Sequence, residues 1–129
     1  TAVCFMGHGT KTGANIVYEK LQETFRFAGV DNFYIATMKA EPTLEQVIAS
    51  IKQKAACKKI ILRPLMVVAG DHANNEMAGN TGNSWKKILE KEGYEVECLL
   101  EGLGQHPAIQ ELYVKHAQAA VERLRAQEV

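Results

Sequence analysis

The chain has 129 residues, the size of one domain around one hydrophobic core. Its 47% apolar and 23% charged residues are an ordinary globular mix, which excludes a disordered, collagen-like or coiled-coil chain. Fifteen Lys and Arg offset fifteen Asp and Glu, leaving no basic excess for nucleic-acid phosphates, and apolar runs such as residues 65–69 fall far short of the roughly 20 residues of a membrane span.

Residues 2–6 (Ala-Val-Cys-Phe-Met) are a short apolar run ending at Gly7-His8-Gly9-Thr10, a strand followed by a turn. Val17, Leu21, Phe25 and Ala28 then recur at helical spacing up to Gly29. Residues 32–38 are β-branched and aromatic, a second strand. Beyond Pro42, Thr43 and Gln46 form a capping box for a helix whose apolar face is Leu44, Val47, Ile48, Ile51 and Ala55. Residues 59–68 make a third strand, bent or stopped near Pro64, because proline has no ladder donor.

Residues 70–82 are polar, rich in Gly and Asn, and without apolar period, so they read as a loop. Trp85, Ile88 and Leu89 mark a short helix closed by Gly93, and residues 94–100 alternate as a fourth strand. Pro107 suits the first position of a last helix, with Ile109, Leu112, Tyr113, His116 and Ala120 on its apolar side. Strands alternating with helical crossovers imply a four-stranded parallel sheet with helices on both faces, in a single α/β domain over 1–129. Ligands of such sheets bind beyond the carboxyl ends of the strands. Segments 7–10, 39–41 and 70–75 all fall there.

The three cysteines, Cys4, Cys57 and Cys98, lack CxxC spacing and read as small buried hydrophobes in a reducing, cytoplasmic setting rather than a thiolate metal site. The chain enters its first strand directly at Thr-Ala-Val without an initiating Met, so a lost export leader or an upstream half stays open.

His8 and His72 each follow a strand on the same rim. Imidazole binds divalent transition metals and moves protons near neutral pH, so the pair suggests a metal or proton-transfer site; loop histidines bonded to backbone are the alternative. His116 reads as a packing residue and His106 as part of a helix entrance. Lys39 and Glu41 lie two apart after the second strand. If the backbone stays extended there, they share a face and the Glu41 carboxylate can join the imidazoles in a mixed N,O site suited to Co, Ni or Fe. A solvated Lys–Glu pair is the alternative. Asp71, Asn74, Asn75 and Glu76 are placed to orient His72. Gly7 stands where a histidine phosphatase would carry arginine, and GxGxxG is absent, so a phosphate site is disfavoured.

Val3-Cys4-Phe5-Met6-Gly7-His8-Gly9-Thr10, the run from Pro64 through Ala69-Gly70-Asp71-His72 to Gly79, Asn83-Ser84-Trp85-Lys86, and Gly102-Leu103-Gly104 with Pro107-Ala108-Ile109 resemble the C-terminal half of anaerobic sirohydrochlorin cobaltochelatases. The segments run in the family's order over nearly the whole chain. The resemblance implies a class II chelatase fold, two similar α/β lobes around a cleft, and insertion of Co²⁺ into sirohydrochlorin on the way to cobalamin. Ni²⁺ or Fe²⁺ are further candidate metals, and no organic cofactor is implied.

On this resemblance His8 matches the histidine after strand one, with a role as ligand and proton acceptor, and His72 matches the second histidine ligand. The family's metal-site glutamate, three residues before the proline that precedes helix two, is Lys39 here. Either Glu41 replaces that carboxylate, the site rests on two histidines, or Lys39 meets a substrate carboxylate. The polycarboxylate macrocycle implies contacts from Gly9, Thr10, Lys11, Arg63 and Asn74, and from the helix starts after Gly9-Thr10 and Gly82-Asn83. The other wall of the cleft would come from a missing N-terminal half or from a second copy in a homo-oligomer. A non-catalytic tetrapyrrole or metal carrier is the alternative function.

Overall fold

The computed structural model describes the chain except residues 11–12, 55, 67–69, 71 and 128–129; of Ala14, His72 and Ala73 it gives the backbone alone. Four strands, β1 (Ala2–Gly7), β2 (Phe33–Thr37), β3 (Lys59–Pro64) and β4 (Glu95–Cys98), form a parallel sheet in the order β2-β1-β3-β4. The connections are α1 (Ile16–Phe27), α2 (Leu44–Lys52) and, after β3, a π-helical turn (His72–Met77) followed by α3 (Trp85–Lys91). A last helix, α4 (Pro107–Gln127), follows a 3-10 turn at Leu103–Gln105. The parallel sheet and its crossovers agree with the sequence reading.

Strand alternation divides the side chains between two faces. Cys4 and Met6 of β1 and Ile60 and Leu62 of β3 turn to the face where Leu44, Val47, Ile48 and Ile51 of α2 and Trp85 and Leu89 of α3 complete the core. Ala55, expected on the α2 stripe, lies outside the described residues. Phe5 and Phe33 turn to the other face, where Phe25 of α1 stacks on Phe5 at 5.8 Å and meets Phe33 edge-on at 5.3 Å. Helices therefore lie on both faces.

α2 begins as its sequence dictates. Thr43 accepts from Gln46 N at 3.2 Å while the Gln46 side chain accepts from Thr43 N at 2.8 Å, the reciprocal capping box. The Ser84 hydroxyl accepts from Lys87 N at 3.2 Å and caps α3 in the same manner. Gly93, at φ +95°, ends α3 in the left-handed region that favours glycine. β3 stops at Pro64, as the missing donor requires.

Four expectations are corrected. The stripe of α1 that faces the sheet is Tyr18, Leu21, Gln22 and Phe25, and Val17 is exposed. A glutamine occupies that stripe because β2 is an edge strand: Gln22 donates to Phe33 O at 2.8 Å and accepts from Ile35 N at 3.1 Å, pairing backbone groups that no neighbouring strand reaches. The loop expected over 70–82 contains the π-helical turn, whose last residue, Met77, is fully buried. One apolar anchor is too sparse to register as a period. The fourth strand is shorter than residues 94–100: it spans Glu95–Cys98, and Leu99 N makes a further bond to Leu62 O at 2.9 Å just beyond it.

The fourth correction concerns α4. All of its residues are exposed except the half-buried Ile109, and His116 is no packing residue. Its substantial contacts are with the 3-10 turn before it. Amphipathic spacing identified an apolar stripe, but among the described residues nothing in this chain covers it. No described helix is long and apolar enough to cross a membrane.

Candidate functional site

The carboxyl ends of β1 and β2 are laced together. Met38 N donates to Gly7 O at 3.0 Å and Lys39 N donates to His8 O at 3.2 Å, so the two turns leave the sheet side by side. His8 is exposed at the tip of the first turn. Its Nδ1 lies 2.8 Å from Gly9 O. A carbonyl only accepts, so Nδ1 carries the proton, and the neutral ring has its lone pair on Nε2. That tautomer suits a metal ligand or a proton acceptor.

The turn is held tightly. The Tyr18 hydroxyl accepts from Gly9 N at 3.2 Å, and the Tyr18 ring fills the space where a side chain at Gly7 would collide with it. Gly9 has φ +79°, and a Cβ there would press on the Thr37 hydroxyl and on Ala40 N. Thr10 N donates to Asn15 Oδ1 at 2.8 Å, and the Asn15 side-chain amide donates back to Thr10 O. Glycines flanking His8 announce a close approach, but Tyr18 and Asn15, which make it, carry no signal of their own in the sequence.

The second turn departs from the extended path that would put Lys39 and Glu41 on one face. Thr37 N donates to Pro42 O at 2.7 Å, and the Thr37 hydroxyl accepts from Ala40 N at 3.0 Å and donates to Ala40 O at 2.5 Å. The chain bends as soon as β2 ends, because these local bonds replace the ladder. Lys39 and Glu41 are both exposed. Glu41 borders a cleft of about 640 Å³ between α1 and α2, along the free edge of β2, together with Glu19, Gln22, Arg26, Gln46 and Lys54. His8 does not line this cleft.

Beyond β3, the backbone of His72 opens the π-helical turn, anchored below by buried Met77. Asn74 N donates to Gly70 O at 3.0 Å, and Asn74, Asn75 and Glu76 are exposed. Gly79 is needed because a Cβ there would strike Asn75 O, and its carbonyl accepts from the Ser84 hydroxyl at 2.7 Å, tying the turn to α3. The imidazole of His72, Asp71 and Lys11 lie outside the described residues. Among the described residues no three His, Cys, Asp or Glu side chains converge to hold an ion.

Arg63, half-buried, donates to His106 Nε2 at 3.0 Å and lies 3.8 Å from Glu101. Since a guanidinium only donates, His106 is in its neutral Nδ1–H form in this pairing. The carbonyl of His106 accepts from Ile109 N and Gln110 N, each at 3.0 Å, so His106 serves the entrance of α4 as expected. All three cysteines are free thiols, and burial pushes Cys4 up to about 12.

A parallel α/β lobe with an exposed histidine held rigidly at the end of its first strand is the architecture of a ligand-handling α/β domain, with the site on the carboxyl rim. Residues 1–122 match the cobalt chelatase (CbiK) family, and the chain belongs to that family. It is 36% identical over 124 residues to the sirohydrochlorin cobaltochelatase CbiKC of Nitratidesulfovibrio vulgaris, covering 95% of this chain and 43% of that protein. It is 34% identical over 122 residues to the sirohydrochlorin cobaltochelatase of Salmonella typhimurium, covering 92% and 44% respectively. The chain thus spans less than half the length of these relatives. The crystal structure of a putative cobalamin biosynthesis CbiX protein from Marinobacter aquaeolei superposes with a TM-score of 0.74 at 23% identity, over 95% of this chain and 98% of that one, and shares the fold.

Proposed function

We propose that this chain is the metal-handling lobe of a sirohydrochlorin cobaltochelatase, which inserts Co²⁺ into the macrocycle. The observation that carries the reading is the placement of His8 on a braced turn at the carboxyl end of β1, in a chain of the cobalt chelatase family. Insertion makes three demands: ligands that hold the ion and let it go, removal of two pyrrole N–H protons, and a surface that orients the macrocycle. Neutral imidazole meets the first with moderate affinity and the second as a general base. His8 serves as ligand through Nε2 and, once that nitrogen has released the ion, accepts the two pyrrole protons in turn and passes each to water; His72 serves as the second ligand.

The bend after β2 supports a two-histidine site, with Glu41 toward the α1–α2 cleft rather than in the ligand set. Glu41→Gln with unchanged Co²⁺ affinity fits this reading. Lys39, next to His8, then stands ready for a carboxylate of the substrate. Arg63, Thr10, Lys11 and Asn74 are further candidates to meet that polyanion, although Arg63 must divide its donors with His106 and Glu101. Ni²⁺ or Fe²⁺ would suit the same donors. The free thiols fit a reducing cytoplasm.

A second reading, a metal or tetrapyrrole carrier, is favoured by one observation, the ammonium of Lys39 where the family has a carboxylate. Absorbance of sirohydrochlorin after addition of Co²⁺ separates the two. Acceleration above the spontaneous rate that is lost in His8→Ala supports the enzyme; tight binding without acceleration supports the carrier. The assay is run with this chain alone and with an added N-terminal lobe of a relative.

A further inference from the structure

Arg63 and His106 meet because two distant segments are tied together. Leu103 N donates to Met66 O at 2.6 Å, which seats the 3-10 turn against the chain leaving β3. His106 N donates to Leu103 O at 3.1 Å as that turn ends, and its own carbonyl caps the start of α4. The imidazole thus stands on a braced backbone, and its Nε2 accepts from Arg63 Nη2 at 3.0 Å. The Arg63 and His106 side chains remain 27% and 36% exposed, so a ligand at the rim can reach them.

A guanidinium has five N–H groups, and Nη2 contributes one hydrogen to each of its two forked edges. Whichever hydrogen His106 takes, the other edge keeps two parallel donors, the match for a carboxylate. Among the described residues the partners of this guanidinium are His106 and Glu101. Glu101 Oε2 stands 3.8 Å from Arg63 Nη2 and 3.9 Å from His106 Nε2, inside ion-pair range and outside hydrogen-bond range. Its side chain is 55% exposed, and so hydrated a pair is held loosely. The chain therefore attracts a carboxylate of its own to this edge without closing on it. A carboxylate carried by a rigid ring loses less conformational freedom on binding than a flexible glutamate does.

Position decides which part of a ligand arrives there. Arg63 pairs with Phe5 in the ladder, three residues before His8, an offset on the order of 10 Å at about 3.3 Å per residue. A tetrapyrrole centred near His8 extends that far with its peripheral carboxylates and not with its nitrogens. We infer that Arg63, oriented by His106, receives a peripheral carboxylate of the macrocycle, and that Glu101 competes with it for the same guanidinium edge. The identity of the ligand rests on the chelatase reading. His106 is here a positioning residue, and Glu101 an internal competitor that the substrate displaces.

Titration of metal-free sirohydrochlorin into this chain, alone and with the added N-terminal lobe of a relative, tests the assignment by absorbance. Arg63→Gln should weaken macrocycle binding about tenfold and leave Co²⁺ affinity in calorimetry unchanged. His106→Ala should weaken it about threefold, and His106→Gln, whose amide oxygen again accepts from Nη2, should restore most of the loss. Glu101→Gln should tighten binding about threefold, an outcome that a merely structural Glu101 would not produce. Macrocycle with its carboxylates esterified should not distinguish the parent from Arg63→Gln. Binding that depends on Arg63 without Co²⁺ insertion supports the inference and removes the enzyme reading. Insertion with unchanged macrocycle affinity in Arg63→Gln overturns the inference alone. Unchanged or weaker binding in Glu101→Gln, or no binding to the parent in either setting, also overturns it.

Discussion

The backbone N–H of Lys39 donates to the carbonyl of His8 at 3.2 Å, so the residue that the resemblance aligns with a metal-site glutamate is the immediate neighbour of the candidate ligand. Replacing a carboxylate by an ammonium at such a position works against a cation in two ways: it removes a donor and adds a repelling charge. Lys39→Glu should therefore tighten Co²⁺ binding about tenfold, a change of ~1.4 kcal/mol, in calorimetry. No gain would count against the two-turn site and against aligning Lys39 with that glutamate.

His8→Ala should abolish metal insertion and leave the fold alone. The side chain is exposed and its ring bond is to the adjacent carbonyl, so the change in unfolding free energy should stay within about 0.5 kcal/mol. Tetrapyrrole absorbance and a denaturant titration read the two effects separately. Retention of most of the activity would remove His8 from the chemistry.

Tyr18 acts on His8 through the turn. Tyr18→Phe removes the acceptor for Gly9 N and should cost about 1 kcal/mol of stability, with a loss of turnover of several-fold. The His8 ring resonances should shift in NMR spectra, because the Tyr18 hydroxyl bonds to the residue that follows His8. Gly7→Ala drives a methyl against the Tyr18 ring and should cost more, about 1–3 kcal/mol. Unchanged His8 resonances in both variants would show that the turn needs no bracing.

Met77 couples the core to the His72 turn. It is fully buried at the end of the π-helical turn, so Met77→Ala should lower the unfolding free energy by about 2–5 kcal/mol. Loss of the anchor should also weaken Co²⁺ binding in the fraction that remains folded, measured by calorimetry below the melting range. Unaltered affinity would mean that the turn holds its shape without the anchor.

Cys4 makes stability fall in alkaline solution. Its thiol rises from 9.0 to about 12 in the folded chain because burial disfavours the thiolate. Between those values the unfolded chain has lost the proton that the folded chain retains, so the contribution is complete below pH 9 and drains away toward pH 12. Denaturant midpoints measured across that range should decline, and less so in Cys4→Ala, compared with its own value at neutral pH. The same burial should keep Cys4 from alkylation in the native protein while half-buried Cys57 reacts first.

The sequence by itself determined the sheet and most of its helices, because those features rest on short-range physics. The capping box at Thr43 and Gln46, the stop at Pro64 and the turn at Gly93 are each settled within a few residues. It also placed His8 and the His72 segment at strand ends, since parallel crossovers leave only one rim for them.

What tertiary structure alone decided are the relationships between segments far apart in the chain. Gln22 belongs on the inner stripe of α1 only because β2 is the edge of the sheet. Tyr18 matters because it lies on the Gly7-His8-Gly9 turn, and Arg63 is drawn to His106, 43 residues away. The bend of residues 37–42 replaced the extended path on which strand alternation would have put Lys39 and Glu41 on one face, because the Thr37 hydroxyl bonds locally once the ladder ends. An apolar period marks which side of a helix avoids water. In α4 it does so correctly, but whether the surface that covers it lies in the same chain depends on the path of the backbone after β4, which no local pattern encodes.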